Sequence, residues 1–429
     1  MLSCQVVRSK FRRFILMDIG IASTLLLFLM IWLVPFCARE FRNSGQLMLA
    51  YWFVIVLHQA VAFTNAFWFT TIGASADAVS FHRMAMEVAQ LGHVVFNDGA
   101  SFYYNMLGVV YWIFGPSLML AQQLTILAFS ISCVVLVKIL CQLELSRHKV
   151  SIFLAFGALP SMVFLGSVPL RESYQILFYM LVVYFGLKMH VTGGVNKYLI
   201  FMIISALGMG LFHHALLVYA VFLIVLFLLW THWPVSRLGN VKKVHVLAVF
   251  TIPALMLGAA SYAATNSVAL SAFFNMELLE TAAKYREYSP STRATYGANI
   301  DLSSPLMAIY SSLVMYIYYL FAPFPWQINN VLDVYASIES ILRLVLICFA
   351  WKNWRNSYGA QRRQLGLMLT LFFSMSFMWG MGTTNYGTAI RHNMLSWWIL
   401  VIVGLPLLME WLSRFRLADL VHQSRVERG

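Results

Sequence analysis

Charged residues are scarce in this chain. Asp, Glu, Lys and Arg together make up 10% of its 429 residues, whereas a soluble domain carries roughly 25%. Hydrophobic residues reach 61%, and the mean hydropathy is +0.76. This composition excludes an ordinary soluble protein. It indicates an integral membrane protein that crosses the bilayer many times.

Several binding signatures are also missing. The net charge is +13, but no basic run interleaved with aromatics stands in a polar context, so DNA and RNA binding are excluded. In membrane proteins, basic residues instead collect in cytoplasmic loops. No G-x-x-x-x-G-K-[ST] phosphate loop is present. The five cysteines include no C-x-x-C pair, and we interpret them as packing residues rather than a disulfide or metal set.

Apolar segments near 20 residues long fill the chain, without a clear internal repeat or a low-complexity tract. We predict an all-α, polytopic transmembrane bundle with about 11–13 membrane segments, in which 1–429 is a single integral membrane domain. The shorter stretch 103–115 is expected to be interfacial or re-entrant. The predicted segments are 14–37, 46–72, 117–141, 150–168, 173–188, 198–212, 215–231, 245–263, 304–322, 331–351, 364–381 and 393–412.

Basic loops set the predicted orientation, because they face the cytoplasm. This rule places the turn at 169–173, the turn at 213–214, the linker 382–392 and two larger loops on the extracytoplasmic side. One is 73–116, with a short amphipathic helix and a candidate catalytic acid, and the other is the large loop 264–303. The alternation fails at two points: the basic N-terminus is left outside, and the segments between 245 and 351 make an odd number of crossings. The two prolines within 322–327 predict a helix break there.

Asp77 stands at the end of a long apolar segment, directly before the helical pattern AVSFHRMAMEVAQLG. A charge at this depth is costly, so it indicates a catalytic or metal-binding carboxylate at the membrane surface. The alternative is that Asp77 is the N-cap of the helix. His82 lies well round the helix from Asp77, so we predict no dyad, and we take His82 as a candidate substrate-binding residue.

Arg171 and Glu172 open another apolar segment, in the stretch VPLRESYQ. Adjacent residues do not face each other on a helix, so Arg171 requires a different anion. Asp77 and a lipid phosphate are the two candidates, and the guanidinium fork suits a phosphate. The alternative is an interfacial arginine that snorkels toward water. We take Arg171 and Glu172 as candidate substrate-binding residues.

Two further clusters combine cations with aromatic residues, a mixture that suits a sugar phosphate or a glycan. The first stands in YREYSPSTRATYG within the large loop, and the second in NYGTAIRHN before the last span. A solvated loop face and an interfacial anchor are the respective alternatives. The adjacent pair His213 and His214 has no third ligand, so we predict no metal site from it. The candidate substrate-binding residues of the two clusters are Arg286, Arg293, Arg391 and His392.

These motifs resemble the GT-C superfamily of polytopic glycosyltransferases over about residues 70–190. The resemblance is carried by DAVSFHRMA, YYNMLGVVYWIFG and LPSMVFLGSVPLRES. In that family an acid in the first large external loop is the catalytic base or a metal-linked acid, which implies this role for Asp77. The paired acids of the family are absent, because alanines flank Asp77. FAPFPWQ and NYGTAIRH resemble bacterial surface-polysaccharide proteins, including O-antigen polymerases.

The resemblance implies an enzyme of the bacterial inner membrane that acts on its extracytoplasmic side. It would transfer a sugar or glycan from a polyprenyl-phosphate or polyprenyl-pyrophosphate donor to a glycan acceptor, without a cofactor unless a divalent metal assists. Arg171, Arg293 and Arg391 would stabilise the leaving phosphate, and Asp77 would take the proton of the acceptor hydroxyl. A repeat-unit polymerase or ligase, a lipid-linked glycan transporter and a scaffold protein are the alternatives.

Overall fold

A computed structural model describes residues 20–74, 77–94, 101–193, 196–232, 294–296 and 301–426. These residues fold into helices, with one isolated β-bridge between Thr295 and Asn385. The helices are α1 Gly20–Cys37, α2 Arg39–Arg42, α3 Gly45–Phe67, α4 Asp77–Leu91, α5 Ser101–Phe114, α6 Leu118–Gln142, α7 Lys149–Gly157, α8 Pro160–Leu165, α9 Glu172–Thr192, α10 Lys197–Leu211, α11 His214–His232, α12 Pro305–Phe321, α13 Val331–Asn356, α14 Gly359–Gly382 and α15 Tyr386–Val426.

Seven helices of the described part of the chain are long and apolar enough to cross a membrane: α1, α3, α6, α9, α11, α14 and α15. The predicted class, an all-α polytopic membrane bundle, is therefore confirmed. Helices α10 and α12 are apolar but shorter. The predicted segment 245–263 lies outside the described residues.

Local chemistry sets the ends of the helices. Gly193 ends α9 with φ of +77°, a left-handed conformation that glycine adopts without steric cost. Asn196 then caps α10, because its side-chain oxygen accepts a hydrogen bond from the backbone N–H of Tyr198 at 2.9 Å. Ser304 caps α12 in the same way, and Pro305 occupies its first turn.

The predicted span 150–168 is interrupted. Helix α7 ends at Gly157, and α8 starts at Pro160 and has six residues. Leu159 between them is extended, with ψ of 131°, as expected for a residue that precedes proline. The prediction of one continuous span was wrong, because neither piece has the length of about 20 residues that a crossing needs.

The chain divides into two compact units, which are described separately. The first comprises Met1–Gln142 and Gly157–Leu278, and the second comprises Leu143–Phe156 and Leu279–Gly429. In the first unit α6 packs against α3 and α9, α9 packs against α10 and α11, and α4 pairs with α5. In the second unit α12, α13, α14 and α15 pack against one another.

The predicted helix break within 322–327 is confirmed, since α12 ends at Phe321. The last carbonyls of a helix have no partner within the helix. Here the neighbouring helices supply the donors: Ser340 Oγ donates to the Ala322 carbonyl at 3.2 Å, and Asn393 Nδ2 donates to the Tyr319 carbonyl at 3.2 Å. Arg343 also donates to a carbonyl at this end, that of Leu320. A buried cation thus serves to terminate a helix inside the second unit.

Several polar side chains inside the first unit are paired across its helices. Gln59 of α3 and Gln123 of α6 form a reciprocal amide pair, with both N···O distances at 2.8 Å. His58, fully buried, lies 3.3 Å from the carbonyl of Gly157 and 3.1 Å from the hydroxyl of Ser167. Such pairs satisfy polar groups that have no water to bind in an apolar interior.

We expect the reciprocal amide pair to show strong coupling in a double-mutant cycle. Gln59→Leu and Gln123→Leu should each destabilise the protein by about 1 kcal/mol, because each leaves the partner amide buried without its hydrogen bonds. The double variant should recover much of the loss. Thermal unfolding in detergent micelles measures all four proteins, and purely additive losses would contradict the pairing.

Candidate functional site

The site is built on a hairpin of two short helices, α4 and α5. The buried residues of α4 recur at helical spacing: Ala78, Phe81, Ala85 and Val88. They face α5, where Gly108 allows close approach, since a Cβ at that position would lie 2.5 Å from the Val88 side chain. The helices have 15 and 14 residues, too few to span a bilayer. The predicted amphipathic helix of the loop 73–116 is therefore present.

Arg171 lies where this hairpin meets α9. It is the residue that precedes α9, it is half-buried, and its guanidinium carbon lies 5.9 Å from the centroid of the Phe81 ring. This is the geometry of a cation over an aromatic face. Glu172 follows in the first turn of α9 and is 1% exposed. The contact brings α4 and the start of α9 to one place.

Asp77 opens α4 and is exposed. It precedes Phe81 by one turn, so the two residues share a side of the helix. The carboxylate lies in the first turn, where the helix dipole favours a negative charge. Asp77 and Arg171 thus belong to two elements that meet at Phe81.

His82 points to a different partner. Its Nδ1 lies 2.7 Å from the hydroxyl of Tyr111 on α5, and the two rings are close to perpendicular, at 81°. Burial lowers the pKa of His82, so the imidazole is neutral near pH 7. A neutral His82 holds the Tyr111 phenol in place and links α4 to α5.

Three buried tyrosines surround this junction, and the sequence analysis gave them no role. Tyr103 of α5 packs edge-on against Phe81, with centroids 5.1 Å apart, and its centroid lies 5.7 Å from that of Tyr174 on α9. Burial and the nearby Tyr174 raise the pKa of Tyr103, and Glu172 adds to the shift. Its phenol therefore stays protonated and can donate a hydrogen bond. The third tyrosine is Tyr111, which His82 holds.

The second unit contains the other predicted residues that the structure describes. Arg391 and His392 lie half-buried near the start of α15. His392 Nδ1 lies 2.9 Å from the hydroxyl of Thr383, and its ring stacks on Trp379 with centroids 3.8 Å apart. His392 is thus held firmly by α14 and the turn that follows it.

An acid that sequence reasoning missed lies close by in the second unit. Asp333 is fully buried in the first turn of α13. Its carboxylate accepts hydrogen bonds from the Tyr386 hydroxyl at 2.9 Å and from the Asn329 backbone N–H at 3.0 Å. The sequence NNVLD could have indicated a capped helix start with an acid in its first turn. The partner Tyr386 is 53 positions away, and only the fold brings it to Asp333.

The described part of the large loop docks on the turn before α15. The backbone N–H of Tyr296 donates to the Thr384 carbonyl at 2.9 Å, and that of Tyr386 donates to the Ala294 carbonyl at 3.1 Å. Tyr296 is buried, at 5% exposure. The two predicted aromatic clusters are therefore in contact, although most of one of them is not described.

The predicted residues fall into three groups. Asp77, His82, Arg171 and Glu172 belong to the first unit, and Arg391 and His392 belong to the second. Arg286 and Arg293 lie outside the described residues. Convergence of these residues on one shared pocket stays a prediction, and the candidate site lies in the first unit.

No three His, Cys, Asp or Glu side chains in the described ranges come together as metal ligands, so we assign no metal set. Comparisons with protein families, with curated proteins and with solved structures found no match to the chain. Inferences about its function therefore rest on the geometry of the site.

The lowered pKa of His82 predicts a pH-dependent stability. Because the folded state disfavours the charged imidazole, the contribution of His82 is complete above its ordinary pKa of about 6.5. It is lost as the pH falls from that value through the lower pKa of the folded protein. Between about pH 7.5 and 5.5 the unfolding temperature of the wild type should fall more than that of His82→Gln.

The matched control is His93→Gln, which alters an exposed histidine of the same unit. It should keep the wild-type dependence on pH. Identical slopes for the wild type and His82→Gln would contradict the role given to the bond between His82 and Tyr111.

Proposed function

We propose that the chain is a membrane glycosyltransferase. It transfers a sugar or glycan from a polyprenyl-phosphate or polyprenyl-pyrophosphate donor to an extracytoplasmic acceptor in surface-polysaccharide assembly. The observation that carries this proposal is the position of Arg171, half-buried at the start of α9 and against Phe81 of the helix that Asp77 opens.

The start of α9 suits a phosphate in two ways. The guanidinium group of Arg171 offers a fork of donors that matches phosphate oxygens. The first backbone amides of α9 add the positive end of the helix dipole. Negative charge grows on the leaving phosphate as the glycosidic bond breaks, and fixed donors at that position lower the barrier.

Asp77 supplies the base in this mechanism. An exposed carboxylate can meet an acceptor hydroxyl that arrives from the aqueous side, and it takes the proton as the oxygen attacks the sugar. His82 is neutral and bound to Tyr111, so it acts as a positioning residue. Its contact with Tyr111 links α4, which Asp77 opens, to α5.

The membrane side follows from the basic residues. The hairpin and the start of α9 are close to the first half of α6, since Thr125 lies near Tyr103 and Tyr174. Beyond the far end of α6 come Arg147 and Lys149, which the positive-inside rule assigns to the cytoplasm. Helix α6 has 25 residues and is about 37 Å long. The site then faces the extracytoplasmic side of a bacterial inner membrane.

An apolar cavity of about 830 Å³ in the first unit suits the lipid part of the donor. It lies among α1, α3, α4 and the start of α6, and aromatic and aliphatic side chains form most of its wall. A polyprenyl chain is uncharged and flexible, so an apolar recess of this size can hold several isoprene units. Its lining includes Phe28, Phe63, Phe67, Leu118 and Met119.

One observation favours the related alternative of a repeat-unit polymerase. Asp77 is exposed, whereas Arg171 is half-buried beside the buried Glu172. A polymerase that joins pyrophosphate-linked repeats depends on the arginine more than on the acid. The activities of Asp77→Asn and Arg171→Gln therefore distinguish the polymerase from the transferase.

Asp77→Asn and Arg171→Gln should each reduce transfer at least about 100-fold, because they remove the base and a donor to the leaving group. Membrane vesicles that contain the variant and a radiolabelled lipid-linked sugar give the transfer rate. Arg83→Gln, an exposed arginine of the same helix, is the control and should retain full activity.

Loss of transfer in Arg171→Gln with full activity in Asp77→Asn would identify the arginine-led polymerase. Full activity in both variants would contradict a site at this junction. Expression levels and thermal unfolding of each variant must match the wild type for the rates to be compared.

A further inference from the structure

Gln122 of α6 is a buried amide with unmet hydrogen-bonding capacity. It is 0% exposed, and within the described residues neither its side-chain nitrogen nor its oxygen has a hydrogen-bond partner. Its neighbour Gln123 is equally buried but is fully paired with Gln59. An amide without partners in an apolar interior costs free energy, so Gln122 requires an explanation that Gln123 does not.

Three hydroxyl groups near the starts of α5 and α9 are also buried without a hydrogen-bond partner among the described residues. Among the described residues the hydroxyls of Tyr103, Ser173 and Tyr174 have no hydrogen-bond partner, although all three residues are at most 9% exposed. The Thr125 hydroxyl lies near both phenols, but it donates to the Ala121 carbonyl at 3.0 Å. Because that bond uses the single donor of Thr125, the phenol oxygens of Tyr103 and Tyr174 keep their acceptor lone pairs available.

Helix geometry brings Gln122 to the same side of α6 as these phenols. Gln122 and Thr125 are three residues apart, so their side chains lie on one face, one turn from each other. Thr125 is the residue beside Tyr103 and Tyr174. Gln122 thus lies one turn nearer the start of α6 than Thr125, the residue of α6 that the phenols adjoin.

These groups match the chemistry of a neutral sugar. An amide offers two donors and an acceptor, and each phenol offers a donor and an acceptor, as vicinal ring hydroxyls do. Tyr174 also stacks on Phe212, at 5.0 Å and 15°, which gives a flat aromatic wall. Sites for small ligands typically combine such aromatic walls with a few placed polar groups.

The charge nearby defines which sugar fits. Glu172 is buried and close enough for its charge to act on Tyr103. A negative group at this depth repels an anionic ligand strongly, because the surroundings have a low dielectric constant. Arg171 supplies a compensating positive charge next to Glu172, so the phosphate of the donor belongs with Arg171, and the ring beyond it carries no charge.

We propose that Gln122, Tyr103 and Tyr174 form the seat of an uncharged sugar ring, and that Gln122 determines which sugar is accepted. This assignment rests on the proposed glycosyltransferase only in that the bound sugar is the one transferred. It differs from the sequence expectation, which gave a sugar phosphate or a glycan to the two clusters of cations and aromatic residues. Binding of sugar to the seat can be measured without any transfer.

The test compares Gln122→Leu with its neighbour Gln123→Leu in purified protein reconstituted in nanodiscs. Saturation-transfer NMR with the methyl glycosides of glucose, galactose and mannose reports binding, and methyl glucuronide serves as the anionic comparator. The wild type should bind at least one neutral glycoside and should bind the glucuronide more weakly. Gln122→Leu should bind the neutral glycoside at least about tenfold more weakly than the wild type does, since two or more hydrogen bonds are lost.

Stability separates this role from a structural one. Gln122→Leu should unfold at an equal or higher temperature than the wild type, because an unpaired amide is replaced by an apolar group of similar size. Gln123→Leu should unfold at a lower temperature and keep the wild-type affinity for the glycoside. This opposite pattern at two adjacent positions is the result expected of a binding residue kept at a cost in stability.

Two results would overturn the assignment: no neutral glycoside binds the wild type, or Gln122→Leu binds as the wild type does. Both are distinct from failure of the proposed function. Glycoside binding that depends on Gln122 in a protein without transfer activity would keep the seat and remove the transferase. Transfer activity in the wild type, together with wild-type glycoside binding by Gln122→Leu, would keep the transferase and remove the seat.

Discussion

The contact between the Arg171 guanidinium and the Phe81 ring is the interaction on which the functional account depends. The α4–α5 hairpin is too short to span a bilayer, so its position comes from its packing against longer helices. Phe81 touches both Arg171 and Tyr103, and through them it joins α4 to α5 and α9. This contact brings the helix that Asp77 opens against Arg171, so that the acid and the cation can act on one substrate.

The second constraint is that polar groups inside an apolar bundle need partners. The amides of Gln59 and Gln123 and the cation of Arg343 have such partners. These pairs cross between helices and stabilise particular packings. Gln122 stands out against this background, because its amide is as buried as that of Gln123 and remains unpaired within the described residues. Together with the unpaired hydroxyls of Tyr103 and Tyr174, this amide offers polar groups that a ligand can complete.

Sequence reasoning predicted features that depend on local chemistry. Apolar length located the seven helices of the described residues that can cross a membrane, Asp77 marked the start of α4, and the turn expected at His213 separates α10 from α11. It failed where partners are distant in the chain. Gln59 and Gln123 are 64 positions apart, and no local pattern indicates that one glutamine of α6 finds a partner while its neighbour does not. Arg171 could be predicted as a site residue because it is charged, whereas Tyr103 and Gln122 could not, because they are neutral residues in apolar stretches.

The central claim is that Arg171 receives the phosphate of a polyprenyl-linked donor. Its most direct test is the equilibrium binding of polyprenyl phosphate to the purified protein in nanodiscs, measured by native mass spectrometry. The account predicts that Arg171→Gln binds at least about tenfold more weakly than the wild type, as expected when a charge-assisted bidentate contact is lost, and that Arg83→Gln binds normally. Equal affinity in all three proteins would contradict the account.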